Sequence, residues 1–234
     1  MRIHVIDPVV NADIGHSKAY FLKHAAPDVE LTVVAIDEGP STIESDHDVA
    51  LAGPGTLRRV RQAAADGADA IVINCMADPG LFAAREAVRI PVIGPAQSAF
   101  ALASTLADRF SVLGTTRRDL PFTRDLWRRY GHTERGASVR VVDLPVAELR
   151  SDEGALLTRM ITASTAAIEE DGAGAIVFGC TLMAELRDEL AAALGARGHQ
   201  GIAVIDPLAV ALRTAEMLVR LHLRPSDATW PPLP

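Results

Sequence analysis

The chain is expected to be an α/β protein of two pseudo-symmetric, Rossmann-like lobes, each with a four-stranded, mostly parallel sheet flanked by helices. Three observations predict this. Short β-branched and aliphatic runs alternate with longer helical stretches along the 234 residues, the mark of an open sheet with helices on both faces. Most of these runs are apolar throughout rather than at every second position, as strands covered on both faces are. The chain also repeats itself: Ala70-Ile71-Val72-Ile73-Asn74-Cys75 returns as Ala175-Ile176-Val177-Phe178-Gly179-Cys180.

The first strand is Ile3 to Ile6, followed by a helix over 15–26 and a second strand, Leu31 to Ile36. Gly53-Pro54-Gly55-Thr56 lacks the Lys-Ser/Thr of a phosphate loop and reads as the start of a helix over 55–67. The third strand is Ala70 to Asn74. After it, Asp78-Pro79 fits a helix start, with Asp78 near the N-cap and Pro79 in the first turn of a helix over 80–89. Val92 to Gly94 is the fourth strand and leads into an Ala-rich helix over 96–107. Phe110 to Gly114 opens the second half as Ile3 to Ile6 opens the first. Thr115 and Thr116 stand at its end, before a helix over 117–130 that either can cap. Val139 to Leu144, a helix over 153–170, and Ala175 to Phe178 follow. Gly172-Ala173-Gly174 precedes that last strand rather than following it, so it is a turn and not a dinucleotide fingerprint. Thr181 is placed to cap a helix over 182–196. Ala203 to Ile205 is the eighth strand, and Asp206-Pro207 starts a helix over 207–222. The tail Trp230-Pro231-Pro232-Leu233-Pro234 cannot continue a helix and is either frayed or docked on a neighbour. The expected division is a first lobe of 1–108 with a returning 206–234, and a second lobe of 109–205.

Composition narrows the function classes. Hydrophobic residues make up 49% and aromatics 4% of the chain, so the core is expected to be aliphatic. The net charge of −7, with no block of Lys and Arg, argues against nucleic acid or an anionic membrane surface as partner. No apolar run approaches the roughly 18 residues that span a bilayer, and the first residues read as a strand rather than a signal peptide. Two cysteines do not make a disulfide framework, which points to a reducing cytoplasm. Seven histidines stand without ligand spacing, so no metal is expected.

The cysteines carry the functional reading. Ligands of open α/β sheets bind in the crevice outside the carboxyl ends of the strands, and Cys75 and Cys180 stand at that end of the third strand of each half. A helix N-terminus after each would favour the thiolate. If the halves face each other, the two thiols approach a shared cleft from opposite sides. One can then remove a proton from one face of a carbon while the other returns a proton to the opposite face. The backbone N–H groups of Met76 and Thr181 are candidates to support the developing oxyanion. Thr115 and Thr116 are candidates to hydrogen-bond the ligand. The competing reading is that each cysteine is a small buried hydrophobe, in a two-lobed protein that binds a small molecule without transforming it.

The run Asn74-Cys75-Met76-Ala77-Asp78-Pro79-Gly80-Leu81, with Ala84-Arg85-Glu86 and Ile90-Pro91-Val92-Ile93-Gly94, resembles the first cysteine motif of hydantoin racemases. Gly179-Cys180-Thr181 with Met183-Ala184 resembles the second. Gly39-Pro40 with Ile43-Glu44-Ser45, and Val204-Ile205-Asp206-Pro207, are similar to that family's early loop and C-terminal segment. The resemblance covers nearly the whole chain and implies a cofactor-independent racemase with two cysteine bases. It implies 5-monosubstituted hydantoins or the related ureide allantoin as substrate, and a homo-oligomer. Asp or Glu racemisation within the same superfamily is the alternative. The chain departs from the family pattern in three places. Asp7-Pro8-Val9-Val10-Asn11 replaces an Asn-Pro-Asn type turn, leaving Asn11 to supply the ligand amide contact. Gln97, in Gly94-Pro95-Ala96-Gln97-Ser98, stands where a carboxylate is usual, and His47 stands for a Tyr. These departures leave the cysteine chemistry intact and the substrate open.

Overall fold

A computed structural model describes residues 1–231. In order, it contains β1 (Arg2–Asp7), α1 (Ile14–His24), β2 (Glu30–Ala35), α2 (Asp46–Ala65), β3 (Ala70–Ile73), α3 (Leu81–Ala87), β4 (Val92–Ile93) and α4 (Pro95–Leu106). Then follow β5 (Phe110–Gly114), α5 (Asp119–Tyr130), β6 (Gly136–Val141), α6 (Glu153–Glu169), β7 (Ala175–Phe178), α7 (Arg187–Ala196), β8 (Ala203–Ile205) and α8 (Pro207–Arg220). One sheet has the order β2-β1-β3-β4 and the other β6-β5-β7-β8, and every pairing is parallel. The chain divides into two compact units, Met1–Ser98 with the segment from Leu208 onward, and Ala99–Pro207.

In the first unit Ile3, Ile6, Ile71 and Ile73 are fully buried, since their strands have helices on both faces. The returning α8 packs here: Glu216 accepts the Ala26 N–H at 2.9 Å, and Arg220 pairs with Asp28 at 2.6 Å. The second unit is built on Leu113, Leu156, Met160, Phe178 and Leu190. Against its outer strand lies a bidentate pair: Arg140 holds Asp171 at 2.7 and 2.9 Å and Glu170 at 2.7 Å. That contact holds the Asp171 carboxyl below the usual range.

The eight strands form where they are expected, but several boundaries move for identifiable reasons. α2 begins nine residues before the expected 55, so Gly53-Pro54-Gly55-Thr56 lies inside the helix instead of starting it. The start is set by Ser45, whose hydroxyl accepts the Asp48 N–H at 3.3 Å, while Asp48 reaches back past the cap to accept the Glu44 N–H at 3.1 Å. Pro54 removes one helical hydrogen bond without ending the helix. Gly55 is required there because a side chain would meet the Glu38 carbonyl at 2.6 Å. β6 runs over Gly136–Val141 rather than Val139 to Leu144. Its first residue has to be glycine because the Trp127 ring occupies the place of a Cβ, which hides the strand start from a reading of side chains. Asp143, at φ 56°, turns the chain away at the other end.

The helix starts after both cysteines also differ. α3 is capped by Gly80 in the left-handed region, φ 72°, and not by Asp78. Asp78 is itself left-handed, φ 46°, and 3% exposed. Its carboxylate accepts the N–H groups of Ala96 and Gln97 at 3.1 and 3.0 Å, so it caps α4 instead. After Cys180 the chain forms a 3₁₀ turn, Thr181–Leu186, before α7, with Cys180 rather than Thr181 at the N-cap. Nor does Thr115 or Thr116 cap α5: Arg118 stands at its N-cap, with no side-chain capping bond.

The tail is docked as far as it is described. Trp230 lies 5.0 Å from Phe82 of α3, and the Arg85 guanidinium sits 5.9 Å from its ring centre. Arg89 donates to the Trp230 carbonyl at 2.8 Å and pairs with Asp227 at 2.9 Å. The expectation for Pro232-Leu233-Pro234 lies outside the described residues.

Two predictions follow from these contacts. A Cβ at Gly94 would collide with the Asp78 carboxylate, so Gly94→Ala should displace the α4 cap and cost about 2–4 kcal/mol, read as a lowered urea midpoint. Burial pushes the His4 and His132 imidazoles below their ordinary value, aided at His132 by the nearby Arg135 charge. The unfolded chain therefore takes up protons that the folded one resists. The stability these groups contribute is complete above about pH 6.5 and is lost as pH falls through their folded values. Urea midpoints should drop between pH 7.5 and 5, and His132→Asn should flatten that slope.

Candidate active site

In a sheet of order β2-β1-β3-β4 the chain leaves the central pair in opposite directions, and a crevice opens beyond the carboxyl ends of β1 and β3. The side chains there are Asp7 from β1 and Asn74 and Cys75 from just beyond β3. Asn74 is held by both its backbone and its amide. Its N–H donates to the Ile6 carbonyl at 2.8 Å, and its Nδ2 donates to Asp7 Oδ1 at 2.5 Å. Asp7 is 3% exposed. The Asn74 Oδ1 is buried and has no hydrogen-bond partner among the described residues.

Cys75 is half-buried and not in a disulfide. The chain turns tightly around it: the Cys75 N–H donates to the Ile73 carbonyl at 2.8 Å, and the Asp78 N–H to the Cys75 carbonyl at 3.0 Å. The Ala77 N–H points at the sulfur, 3.4 Å away. A backbone donor of this kind stabilises negative charge on sulfur. Asp78 braces the turn from behind through the start of α4. Met76 is buried within the turn. Gln97 lies in the first turn of α4, where its Oε1 accepts from Arg85 Nη2 at 2.7 Å. Asn11 is exposed in the turn beyond β1, at φ 56°.

The second unit repeats the arrangement with other residues. Its crevice lies beyond β5 and β7. Gly179 lets these strands end in close contact, since a Cβ there would meet the Leu113 carbonyl at 2.6 Å. Cys180 follows, half-buried and also free of any disulfide. Beyond β5, one oxygen of Asp119 gathers the Thr115 and Thr116 N–H groups and the Thr115 hydroxyl, the last at 2.9 Å. Thr115 is thus turned inward to its own loop. The Thr116 hydroxyl is buried without a partner among the described residues. Thr181 is half-buried, next in sequence to Cys180.

Within the first unit the fold brings Cys75, Met76 and Gln97 to the strand ends, and within the second Cys180, Thr115, Thr116 and Thr181. Sequence reading missed Asp7 and Asn74 as a pair, and Asp78 and Asp119 as braces. Asp119 had a readable signal, an acid three and four residues after two threonines. Among the described residues no group of three or more His, Cys, Asp or Glu is placed to hold a metal ion, and no helix is long and apolar enough to cross a membrane.

The chain matches the family model described as Asp/Glu/Hydantoin racemase over residues 3–215. It is 39% identical over 222 residues to the hydantoin racemase of Rhizobium meliloti, covering 94% of this chain and 89% of that protein. It is 36% identical to the hydantoin racemase of Pseudomonas sp. (strain NS671), covering 97% and 89%. Among solved structures, the allantoin racemase from Klebsiella pneumoniae superposes with a TM-score of 0.90 at 36% identity, covering 100% of this chain and 95% of that one. Two parallel four-stranded sheets with a cysteine at the end of each third strand, and this likeness along nearly the whole sequence, place the chain in the Asp/Glu/hydantoin racemase family, as an isomerase.

Proposed function

We propose that the protein racemises 5-monosubstituted hydantoins, or the related ureide allantoin, by moving a proton between Cys75 and Cys180 without a cofactor. The observation that carries this reading is the equivalence of the two thiols. Each unit brings its one cysteine to the switch point of its own sheet, and neither is in a disulfide. A pair of inert hydrophobes has no reason to recur there. The hydantoin and allantoin racemases at 36–39% identity support the substrate class.

In this reading one cysteine is a thiolate and the other a thiol when substrate binds. The thiolate takes the C5 proton, whose bonding electrons pass to the neighbouring carbonyl as an enolate. The other thiol gives its proton to the opposite face of C5. Product leaves with the two protonation states exchanged, so the reverse reaction starts from the form the forward reaction leaves. The backbone N–H groups of Met76 and Thr181 stabilise the enolate oxygen. The turn around Cys75, with the Ala77 N–H on the sulfur, keeps that thiolate in place. The protein works in the cytoplasm as a homo-oligomer, and light scattering should give a mass above that of one chain.

Enantiopure 5-benzylhydantoin incubated with the protein in D₂O should lose its circular dichroism while C5 takes up deuterium. Cys75→Ser and Cys180→Ser should each lower the racemisation rate by about 10²–10⁴-fold. Full activity in either variant would remove the two-cysteine mechanism. Racemisation of aspartate but not of hydantoins would move the substrate to the free amino acids.

A further inference from the structure

The Asp7–Asn74 pair gives the first unit's crevice a direction, and we propose that it reads a ring N–H of the substrate, selecting ureides over carboxylates. This deepens the function proposed above by assigning its substrate preference to named atoms. The Asn74 NH₂ donates to Asp7 Oδ1 at 2.5 Å, and turning the amide over would replace that bond with two oxygens set against each other. The Asn74 backbone is fixed as well, by its bond to Ile6. Its carbonyl oxygen is thus committed to the other side, where it is buried and without a partner among the described residues.

A buried acceptor with no donor is destabilising, and proteins leave few of them. This one stands one residue from Cys75, at the strand ends where a sheet of this order takes its ligand. A ligand completes it only by bringing a donor. A hydantoin or another ureide ring carries N–H groups beside its carbonyls. A carboxylate group carries none and would set its own lone pairs against Oδ1, so a free amino acid could complete this acceptor only through its ammonium and never through its carboxylates. A site built around such an unpaired acceptor discriminates strongly against analogues that lack the donor. Asn74 is then a substrate-binding residue and Asp7 a positioning residue acting through it.

Binding separates this inference from catalysis. Achiral hydantoin, 1-methylhydantoin, 3-methylhydantoin and aspartate would be titrated calorimetrically into the full-length protein and into Asn74→Leu and Asp7→Ala, each first checked for native circular dichroism. The wild type should bind hydantoin about tenfold or more tightly than at least one methylated form, and more tightly than aspartate. Asn74→Leu should bind hydantoin and that methylated form alike. Asp7→Ala, with Asn74 intact but free to turn, should lose most of the distinction too. A preference that survives in Asn74→Leu comes from the bulk of the methyl group and overturns the proposal. So does a wild type that binds all the rings equally, binds none, or prefers aspartate. Selective N–H binding by a protein that racemises nothing would leave this inference standing and sink the two-cysteine reaction.

Discussion

The contact between the first and third strand of each sheet governs what the rest of the chain can do. β1 and β3 lie side by side, as do β5 and β7, and the outer strands are added on opposite flanks. The connections must then depart to opposite sides, and the backbone beyond these strand ends is left uncovered by its own loops. The second residue past the third strand is presented there, and in this chain it is a cysteine both times. Both faces of each sheet are covered, so the strand interiors are mostly apolar, with His4 and Ser111 as buried polar exceptions. Chemistry has room only past the last paired residue, where Asn74 and Gly179 still donate to the neighbouring strand and the next side chain does not.

The strands were legible because burial on both faces leaves a continuous apolar run, and the repeat around the two cysteines was legible because both runs are short and alike. What stayed hidden was set by contacts remote in sequence. Nothing local says that Asp78 caps a helix starting at Pro95 rather than its own, or that Asp7 meets Asn74. Glycine misled twice: Gly55 read as the first residue of a helix when it is a close approach inside α2, and Gly136 did not read as strand because its partner is the Trp127 ring. The Ser45 N-cap was in plain view, but Pro54 is the louder signal for a helix start.

Behind Cys75 the supports are linked in series. Trp230 covers Arg85; Arg85 holds the Val92 carbonyl and Gln97; Gln97 and Ala96 give their N–H groups to Asp78; and the Asp78 backbone closes the turn that carries the thiol. The tail of the chain therefore braces the first cysteine from more than 150 residues away in sequence. Asp119 is the counterpart in the second unit, yet it supports the loop after β5 and leaves Cys180 to lead directly into a 3₁₀ turn.

That inequality bears on the energetics of a reaction whose substrate and product are mirror images. Their free energies in solution are equal, so the equilibrium constant is one, and the ratio kcat/KM must be the same in the two directions however unlike the two thiols are. A difference between the turns under the two sulfurs can alter kcat and KM only together, in compensating proportion. Under the two-cysteine reading, the asymmetry built by Asp78 sets which enantiomer saturates the enzyme first. It cannot make the enzyme run one way.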